Sequence, residues 1–338
     1  MKQFDLPGKT ITMDGFGSSN AQRITKSTID SGMIFLEGEL EKIDPKLHEP
    51  LTAVTWARDI PVRTGGGFVE SVANYAVDYA TSGGNKNGIQ GKETNDIPVM
   101  QADISRDSYR VFNWSHVLKV PFVERDMLKK IGRSLEDILN RGIRLAHDKM
   151  LDQNTYVGQE DFGTYGLVNS PLITATAAST GTGGGTEWEG KTPVEIMNDI
   201  NQALTATWAA SEYDITGMAN HILIPPAQYA YIRNTPVTSE ANKSIYNYLM
   251  ENNIATSQGI TFRIEPCRWC EGAGADGKDR MVMYANDVDR VRFDHTVTLH
   301  RVMTQPVATE MAYMSPYLSQ FSEVQWVYTQ HARYVDGI

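Results

Sequence analysis

The chain has 338 residues, 41% of them hydrophobic, and a formal net charge of −10 at pH 7. This composition describes a folded globular protein that is long enough for two or three compact units. The acidic balance argues against a general nucleic-acid wrapper, because neutralising phosphates requires clustered lysine and arginine. No stretch approaches the roughly 18–20 apolar residues of a membrane span, and the start of the chain has no apolar signal core. The only two cysteines, Cys267 and Cys270, fit a reducing compartment, so we expect a protein that is made in the cytosol and does not enter a membrane.

Residues 1–50 predict an arm with little core of its own. Their apolar residues are scattered, glycines and serines interrupt any early element, and only a short stretch near Phe35–Ile43 has a helical pattern. Such a segment is either disordered or packed on a neighbour, and the scattered apolar side chains favour packing.

From Thr52 to about Val120 the pattern becomes strand-like, with β-branched and aromatic runs at Phe68–Tyr79 and Tyr109–Val120. Between these runs lies a polar, glycine-rich insert, Ser82–Lys92, without core-forming residues. The pattern predicts a long two-stranded ribbon with a flexible tip. Because isolated hairpins are marginally stable, such a ribbon needs another surface to lie against, and a neighbouring subunit is the simplest candidate.

The clearest helix signal lies at about 134–157. Ser134 stands where an N-cap is expected, Asp137 follows three residues later, and Gly158 and Gly163 end the pattern. A helix of that span is roughly 35 Å long, enough to cross a small domain. Its apolar stripe repeats at three- and four-residue spacing through Leu135, Ile138, Leu139, Gly142, Ala146 and Met150.

The remaining chain alternates helices and strands without a regular βαβ rhythm, so the predicted fold class is α+β. Thr192 and Glu195 form a capping box with Pro193 at the first helical position, which predicts a second long helix. Residues 221–224 predict a short strand that two prolines end. The other predicted elements are a helix at Ser244–Glu251 and strands at Thr261–Glu265, Arg280–Tyr284, Thr296–Met303 and Val324–Tyr328.

Residues 185–192 match the P-loop pattern for nucleotide binding letter for letter. The context does not fit a phosphate site, because Glu187 and Glu189 place two carboxylates where phosphates would lie and no buried strand precedes the loop. Pro193 also makes Thr192 an N-cap, which starts the helix too late. A loop-to-helix junction is the favoured interpretation, and nucleotide binding is the minor alternative.

Cys267 and Cys270, together with His295 and His300, imitate a zinc site with two cysteines and two histidines. However, 24 residues separate the two pairs, whereas a zinc finger has roughly 12–15. Two buried thiols are the favoured interpretation, with structural zinc as the alternative. His147 is expected in a solvated or interface position on the long helix. No nucleophile elbow accompanies the seven histidines, so the sequence assigns no catalytic residue, cofactor or metal.

An arm, a ribbon, a long helix, a Gly-x-x-Asn-x-Pro turn and a mixed domain follow one another along the chain. The specific segments are Phe112–His116, Val120–Asp126, Gly166–Pro171, His221–Tyr229 and Val327–Ile338. In this order they resemble the major capsid proteins of tailed bacteriophages. That family has the Hong Kong ninety-seven-like fold, which encapsulin nanocompartments share.

The resemblance implies four parts. They are an N-terminal arm at 1–50, an extended loop or β-ribbon at 51–118, a peripheral domain at 119–190 and 305–338 with a spine helix at 134–157, and an axial domain at 191–304. The loop tip is implied to reach an adjacent subunit through Gly83, Gly84, Lys86, Gly88, Gly91 and Lys92. One basic flank of the spine helix is expected to face the shell interior, with Arg141, Arg144 and Lys149.

The implied function is that of a major capsid protein and not of an enzyme. Hexamers and pentamers of such a chain would assemble into an icosahedral shell around the double-stranded DNA genome of a tailed bacteriophage. The implied partners are other copies, scaffolding, portal and decoration proteins, and packaged DNA in non-specific contact. The protein would be synthesised in the bacterial host cytoplasm and reside in the virion. An encapsulin-like compartment shell and a P-loop nucleotide-binding protein stay open as alternatives.

Overall fold

The structure is a computed structural model that describes residues 53–83, 88–89, 97–130, 135–238 and 243–338. The helices are α1 Trp56–Asp59, α2 Phe122–Lys130, α3 Leu135–Tyr156, α4 Pro193–Ala210, α5 Pro226–Asn234, α6 Ile245–Glu251 and α7 Ile254–Ser257. The strands are β1 Val62–Thr64, β2 Ser71–Ser82, β3 Val99–Pro121, β4 Ala175–Ala177, β5 His221–Ile224, β6 Arg263–Pro266, β7 Arg280–Tyr284, β8 Val291–His295, β9 Val297–Arg301, β10 Gln305–Val307, β11 Ala312–Ser322, β12 Val324–Trp326 and β13 Ala332–Asp336.

The described strands form three sheets, with the orders β1-β8-β12, β10-β11-β3-β2 and β4-β13-β7-β5-β6, and β9 also pairs with β11. Strand β3 is 23 residues long and belongs to two regions of the molecule. Its residues 111–121 pair with β11 in the body, and its residues 99–110 pair with β2. We call β2 and residues 99–110 of β3 the ribbon.

Helix α3 lies against the sheet formed by β3 and β11. Three of its apolar side chains recur at four-residue spacing, which places them on one face of the helix. The contacting set comprises Leu135, Leu139 and Ile143 of the helix and Leu118, Val120 and Tyr317 of the strands. Gly158 ends the helix with φ +80°, and its N–H donates to the carbonyl of Asn154 at 3.0 Å. This left-handed conformation is the usual C-terminal stop that glycine provides.

Helix α4 begins as the sequence predicts. The Thr192 hydroxyl accepts a hydrogen bond from the Glu195 N–H, and the Glu195 carboxylate accepts one from the Thr192 N–H at 2.8 Å. This reciprocal capping box satisfies two backbone donors that the helix itself cannot pair. The buried face of α4 packs in a core with the sheet containing β5 and β7, through Ile196, Ile200, Leu204, Ile222, Ile224, Met281 and Met283.

The fully buried carboxylate of Asp59 joins α1 to α3 and β5. Arg58 donates to it at 2.6 and 2.8 Å, the Tyr156 hydroxyl donates to it, and His221 Nε2 lies 3.2 Å from Oδ1. Burial alone would raise the pKa of Asp59, but the hydrogen bonds from His221, Arg58 and Tyr156 hold it below its ordinary value. The charge is therefore retained inside the fold, where it depends on every one of its partners.

The long elements agree with the sequence predictions, but the predicted pairing of the ribbon strands was wrong in one respect. The predicted second strand, residues 109–120, pairs mainly with β11, and the partner of β2 is residues 99–110. The run at 109–120 is apolar because it lies within the body. Residues 99–108 alternate polar and apolar side chains and are exposed, so they lack the dense apolar signal of a buried strand.

Four other strands were not predicted: β4, β8, β10 and β11. Strand β13 lies in the stretch that resembles the family's returning strand, and it pairs with β7. Part of 305–338 thus shares a sheet with part of 191–304, and the domain boundaries stay a prediction. The arm at 1–50, its helix near Phe35–Ile43 and the N-cap at Ser134 lie outside the described residues. None of the described helices is both long enough and apolar enough to cross a membrane.

Candidate functional site

The ribbon has two chemically different faces. Val77 lies opposite Ile104, and Tyr79 lies opposite Ala102. Because successive side chains of a strand point to opposite faces, odd residues of β2 share a face with even residues of β3. We call this the apolar face, and it carries Tyr75, Val77, Tyr79, Met100, Ala102 and Ile104, with Arg106 at its inner end. The opposite face is mainly polar and carries Asn74, Ala76, Asp78, Ala80, Val99, Gln101, Asp103, Ser105 and Asp107.

The apolar face is exposed in the isolated chain. The side chains of Tyr75, Tyr79 and Ile104 are 69%, 72% and 67% exposed. On the opposite face Asp78 lies directly across from Asp103, and like charges in that position destabilise a strand pair. A contiguous exposed apolar surface marks a binding site for another macromolecule. The apolar face is therefore the candidate functional surface of the described chain.

The base of the ribbon is fixed to the body by side-chain hydrogen bonds. The Val69 N–H donates to Gln320 Oε1 at 3.0 Å, and Gln320 Nε2 donates back to the Val69 carbonyl at 2.9 Å. The Tyr109 hydroxyl donates to the Trp326 carbonyl at 3.2 Å. These bonds set the direction in which the ribbon leaves the body, so the apolar face is presented by a fixed scaffold.

An open groove of about 890 Å³ adjoins the base of the ribbon. Phe112 and Trp114 have the same strand parity as Met100 and Ile104, with Arg106, Ser108 and Arg110 between the two apolar groups. The groove is lined mainly by aromatic and long side chains, including Arg110, Phe112, Trp114, Met150, Phe162 and Phe321. A partner that extends past these polar residues would also contact the aromatic groove.

The predicted loop-tip residues are described only in part. Gly83 and Gly88 have φ values of +82° and +72°, a conformation that suits glycine at a turn. The other four lie outside the described residues: Gly84, Lys86, Gly91 and Lys92. On α3, Arg141 and Arg144 are exposed and Lys149 is half-buried. The assembly role of the tip and the interior role of these cations stay predictions.

The P-loop-like segment forms a short 3₁₀ turn followed by helix α4. Lys191, which occupies the position of a phosphate-binding lysine, is buried and forms an ion pair with Asp199. Trp188 Nε1 donates to the same carboxylate at 3.2 Å. The ammonium group is therefore committed to a carboxylate inside the fold, and the segment is a loop-to-helix junction.

The cysteines and histidines of the zinc-like pattern occupy different surroundings. Cys267 and Cys270 are buried free thiols, and burial raises the pKa of Cys270. His295 is buried beside Ser319, whereas His300 is exposed on β9. Across the residues that the structure describes, no group of three or more His, Cys, Asp or Glu side chains is placed to hold a metal ion.

A buried contact between two histidines and a serine was missed by the sequence analysis. The Ser319 hydroxyl lies 2.9 Å from His147 Nε2 and 3.0 Å from His295 Nε2, and it donates to the Val297 carbonyl. Burial lowers the pKa of each histidine to about 4. The expectation of a solvated or interface position for His147 was wrong, because Trp114 and β11 cover its ring. No local motif links these residues, so the pattern gave no signal.

The described chain combines a mixed helix-and-strand body with an exposed, largely apolar ribbon. A family model described as "Major capsid protein" matches residues 85–338. The chain therefore belongs to the major capsid protein family, and it is a capsid shell protein of the virion.

Solved structures with a similar fold include phage capsids and the capsid of a GTA particle. The capsid of Myoviridae phage XM1 is 16% identical with a TM-score of 0.74, over 93% of this chain and 100% of that chain. A chain from Mycobacterium phage Cain is 13% identical with a TM-score of 0.57, over 91% and 98%. The capsid of a native GTA particle is 8% identical with a TM-score of 0.59, over 91% and 99%. A search of curated proteins finds no match.

Proposed function

We propose that copies of this chain assemble, as hexamers and pentamers, into the icosahedral shell that encloses the double-stranded DNA of a tailed bacteriophage. The observation that carries the proposal is the exposed apolar face of the ribbon. It is held by a fixed base, and it has no covering element among the described residues. A neighbouring copy would cover it. The mechanism is physical association and requires no active site.

The energetics favour many repeated modest contacts. Burying one Val, Ile or Met side chain contributes roughly 1.5–3 kcal/mol, and each ribbon offers several such side chains together with two tyrosines. Association costs about 4–15 kcal/mol in lost freedom, so one ribbon gives a weak contact. In a closed symmetric shell each copy lays its own ribbon on one neighbour and is covered by the ribbon of another. The many repeated contacts together make the whole assembly stable.

The test compares substitutions at two adjacent residues on opposite faces of the ribbon. Ile104→Asp places a charge on the apolar face, and burying it against a neighbour would cost several kcal/mol per contact. We expect this variant to stay as unassembled subunits in sedimentation and electron microscopy. Ser105→Asp adds the same charge one residue away on the polar face, and we expect it to assemble like the unmodified protein. Equal assembly of both variants would refute burial of the apolar face.

The four-part domain layout and the further partners belong to the same proposal. Scaffolding, portal and decoration proteins would bind the shell, and the cationic side chains Arg141 and Arg144 of α3 would face packaged DNA without reading its sequence. Their exposure supports this orientation. An electron-microscopy map of DNA-filled particles tests it, since density for this flank on the outer surface would contradict it. Shells that contain protein cargo and no DNA would instead favour a compartment function.

A further inference from the structure

The edge strands of the described sheets differ in length and in proline content. Strands β1, β4, β10 and β12 have three residues each and β6 has four, and Pro306 and Pro266 lie in β10 and β6. Short edge strands and prolines are the usual means of preventing a sheet from pairing with another chain. Strand β2 has 12 residues, no proline and an uninterrupted register with β3. It is a long edge without those protections.

The other strand of the ribbon, residues 99–110 of β3, carries more charged side chains than β2. Residues 99–110 of β3 include four charged side chains, Asp103, Arg106, Asp107 and Arg110. Strand β2 includes one, Asp78. Charged side chains discourage the addition of another strand. Of the two ribbon edges, β2 is thus the one suited to accept a strand.

The direction of the backbone groups of β2 follows from a contact at the ribbon base. The Arg110 N–H donates to Glu323 Oε1 at 2.7 Å, and the Arg110 carbonyl accepts from the Glu323 N–H at 3.0 Å. Both groups of Arg110 therefore point away from β2. Ser71 lies opposite Arg110, so its own backbone groups point outward as well. By alternation, the outward groups of β2 belong to its odd residues, with Val77 near the middle.

We propose that the outer edge of β2 pairs, antiparallel and around a two-fold axis at Val77, with the same edge of a second copy of this chain. The strand is self-complementary in that register. Tyr75 of each copy meets Tyr79 of the other, a cross-strand aromatic pair. Asp78 meets Ala76, so the two carboxylates do not face each other. The inference rests on the proposed function, because shell assembly supplies the second copy.

The pairing has a consequence for the apolar face. A two-fold axis perpendicular to the sheet keeps the apolar faces of both ribbons on the same side. Two ribbons would then form one four-stranded sheet, and three or more strands with an apolar face are stable where an isolated hairpin is marginal. The joined sheet would present twice the apolar surface of one ribbon to the further copies that its apolar face contacts.

Cysteine cross-linking tests the register directly. In the proposed pair the two Val77 Cα atoms lie about 5.5 Å apart, within the range that a disulfide spans. Assembled Val77→Cys shells should yield covalent chain dimers on mild oxidation, read on a non-reducing gel. Ile104→Cys is the matched control. Ile104 lies directly opposite Val77 on the same face of the ribbon, but on β3, one strand farther from the proposed two-fold axis. The two Ile104 positions would be roughly 14 Å apart, so this variant should stay monomeric on the gel. Assembled Val77→Cys shells without dimers would overturn the proposal.

A second comparison removes the outward donor without changing the ribbon itself. Val77→Pro lacks an N–H that points away from β3, a position where edge strands tolerate proline. Val77→Ala keeps the N–H and shortens the side chain. We expect Val77→Pro to lose shell assembly while Val77→Ala retains it, with circular dichroism of both subunits unchanged. Equal assembly of the two would overturn edge pairing. If Val77→Pro and Val77→Ala both form shells, edge pairing is wrong and the proposed function still stands. An unmodified protein that forms no shells under the same conditions rejects the proposed function instead.

Discussion

Burial keeps His147 and His295, which both contact the Ser319 hydroxyl, as neutral rings inside the fold, and this gives the subunit a specific response to acid. Burial lowers the pKa of each histidine from 6.5 to about 4. Between these values the unfolded chain binds protons that the folded chain excludes, so the free energy of unfolding falls as the pH falls. The contribution of these two histidines should be fully present above about pH 7 and should be lost down to about pH 4, by up to roughly 3 kcal/mol per histidine. Urea unfolding of unassembled subunits across this range measures the effect.

The His295→Gln variant provides the control, because an amide can keep the hydrogen bond to Ser319 but does not titrate. Its unfolding free energy should fall less steeply between pH 6.5 and pH 4 than that of the unmodified protein, with His147 and His331 supplying the remaining dependence. Identical slopes for the two proteins would show that these histidines do not control the acid response.

At the scale of single elements, the end of α3 depends on one glycine. Gly158 has φ +80°, and a Cβ there would lie 2.5 Å from the Thr164 carbonyl oxygen, a backbone atom that cannot rotate away. Gly158→Ala should lower the free energy of unfolding by about 2–4 kcal/mol, from left-handed strain and from the clash. Gly142 lies within the same helix, and nothing approaches its Cβ position within 4 Å. Gly142→Ala should raise stability by about 1 kcal/mol, since alanine is the better helix former. A denaturation midpoint for Gly158→Ala at or above that of Gly142→Ala would contradict this account of the helix end.

Helices could be predicted where residues close together in the sequence are enough to identify them. The capping box at Thr192 and the apolar stripe of α3 need only neighbouring residues to be recognised. The second ribbon strand was not recognised, because Met100, Ala102 and Ile104 alternate with Gln101 and Asp103 and give a weak signal. That alternation is nevertheless the pattern of a strand with one buried face. Strand β11 depends on pairing with β3 across about 200 residues of sequence, which no local window detects.

At the scale of the whole molecule, the order of parts carried more information than any single motif. The P-loop-like and zinc-like patterns have no support in the described structure. Lys191 is paired with Asp199, and the two cysteines are buried whereas His300 is exposed. The arm, ribbon, helix and turn are each weak signals, yet their sequence along the chain led to the family that the comparison establishes. The apolar face of the ribbon could be located only after the strand register was known, because one residue of slip would exchange the two faces.

The central claim is that this chain builds a closed shell by burying its ribbon against other copies. Electron microscopy of the purified protein under assembly conditions, with a map at side-chain resolution, tests it most directly. The account predicts closed particles with five-fold and six-fold centres, in which Tyr75, Tyr79 and Ile104 are covered by a neighbouring copy. Closed particles in which these three side chains face solvent, or a protein that forms neither rings nor shells under any assembly condition, would contradict it.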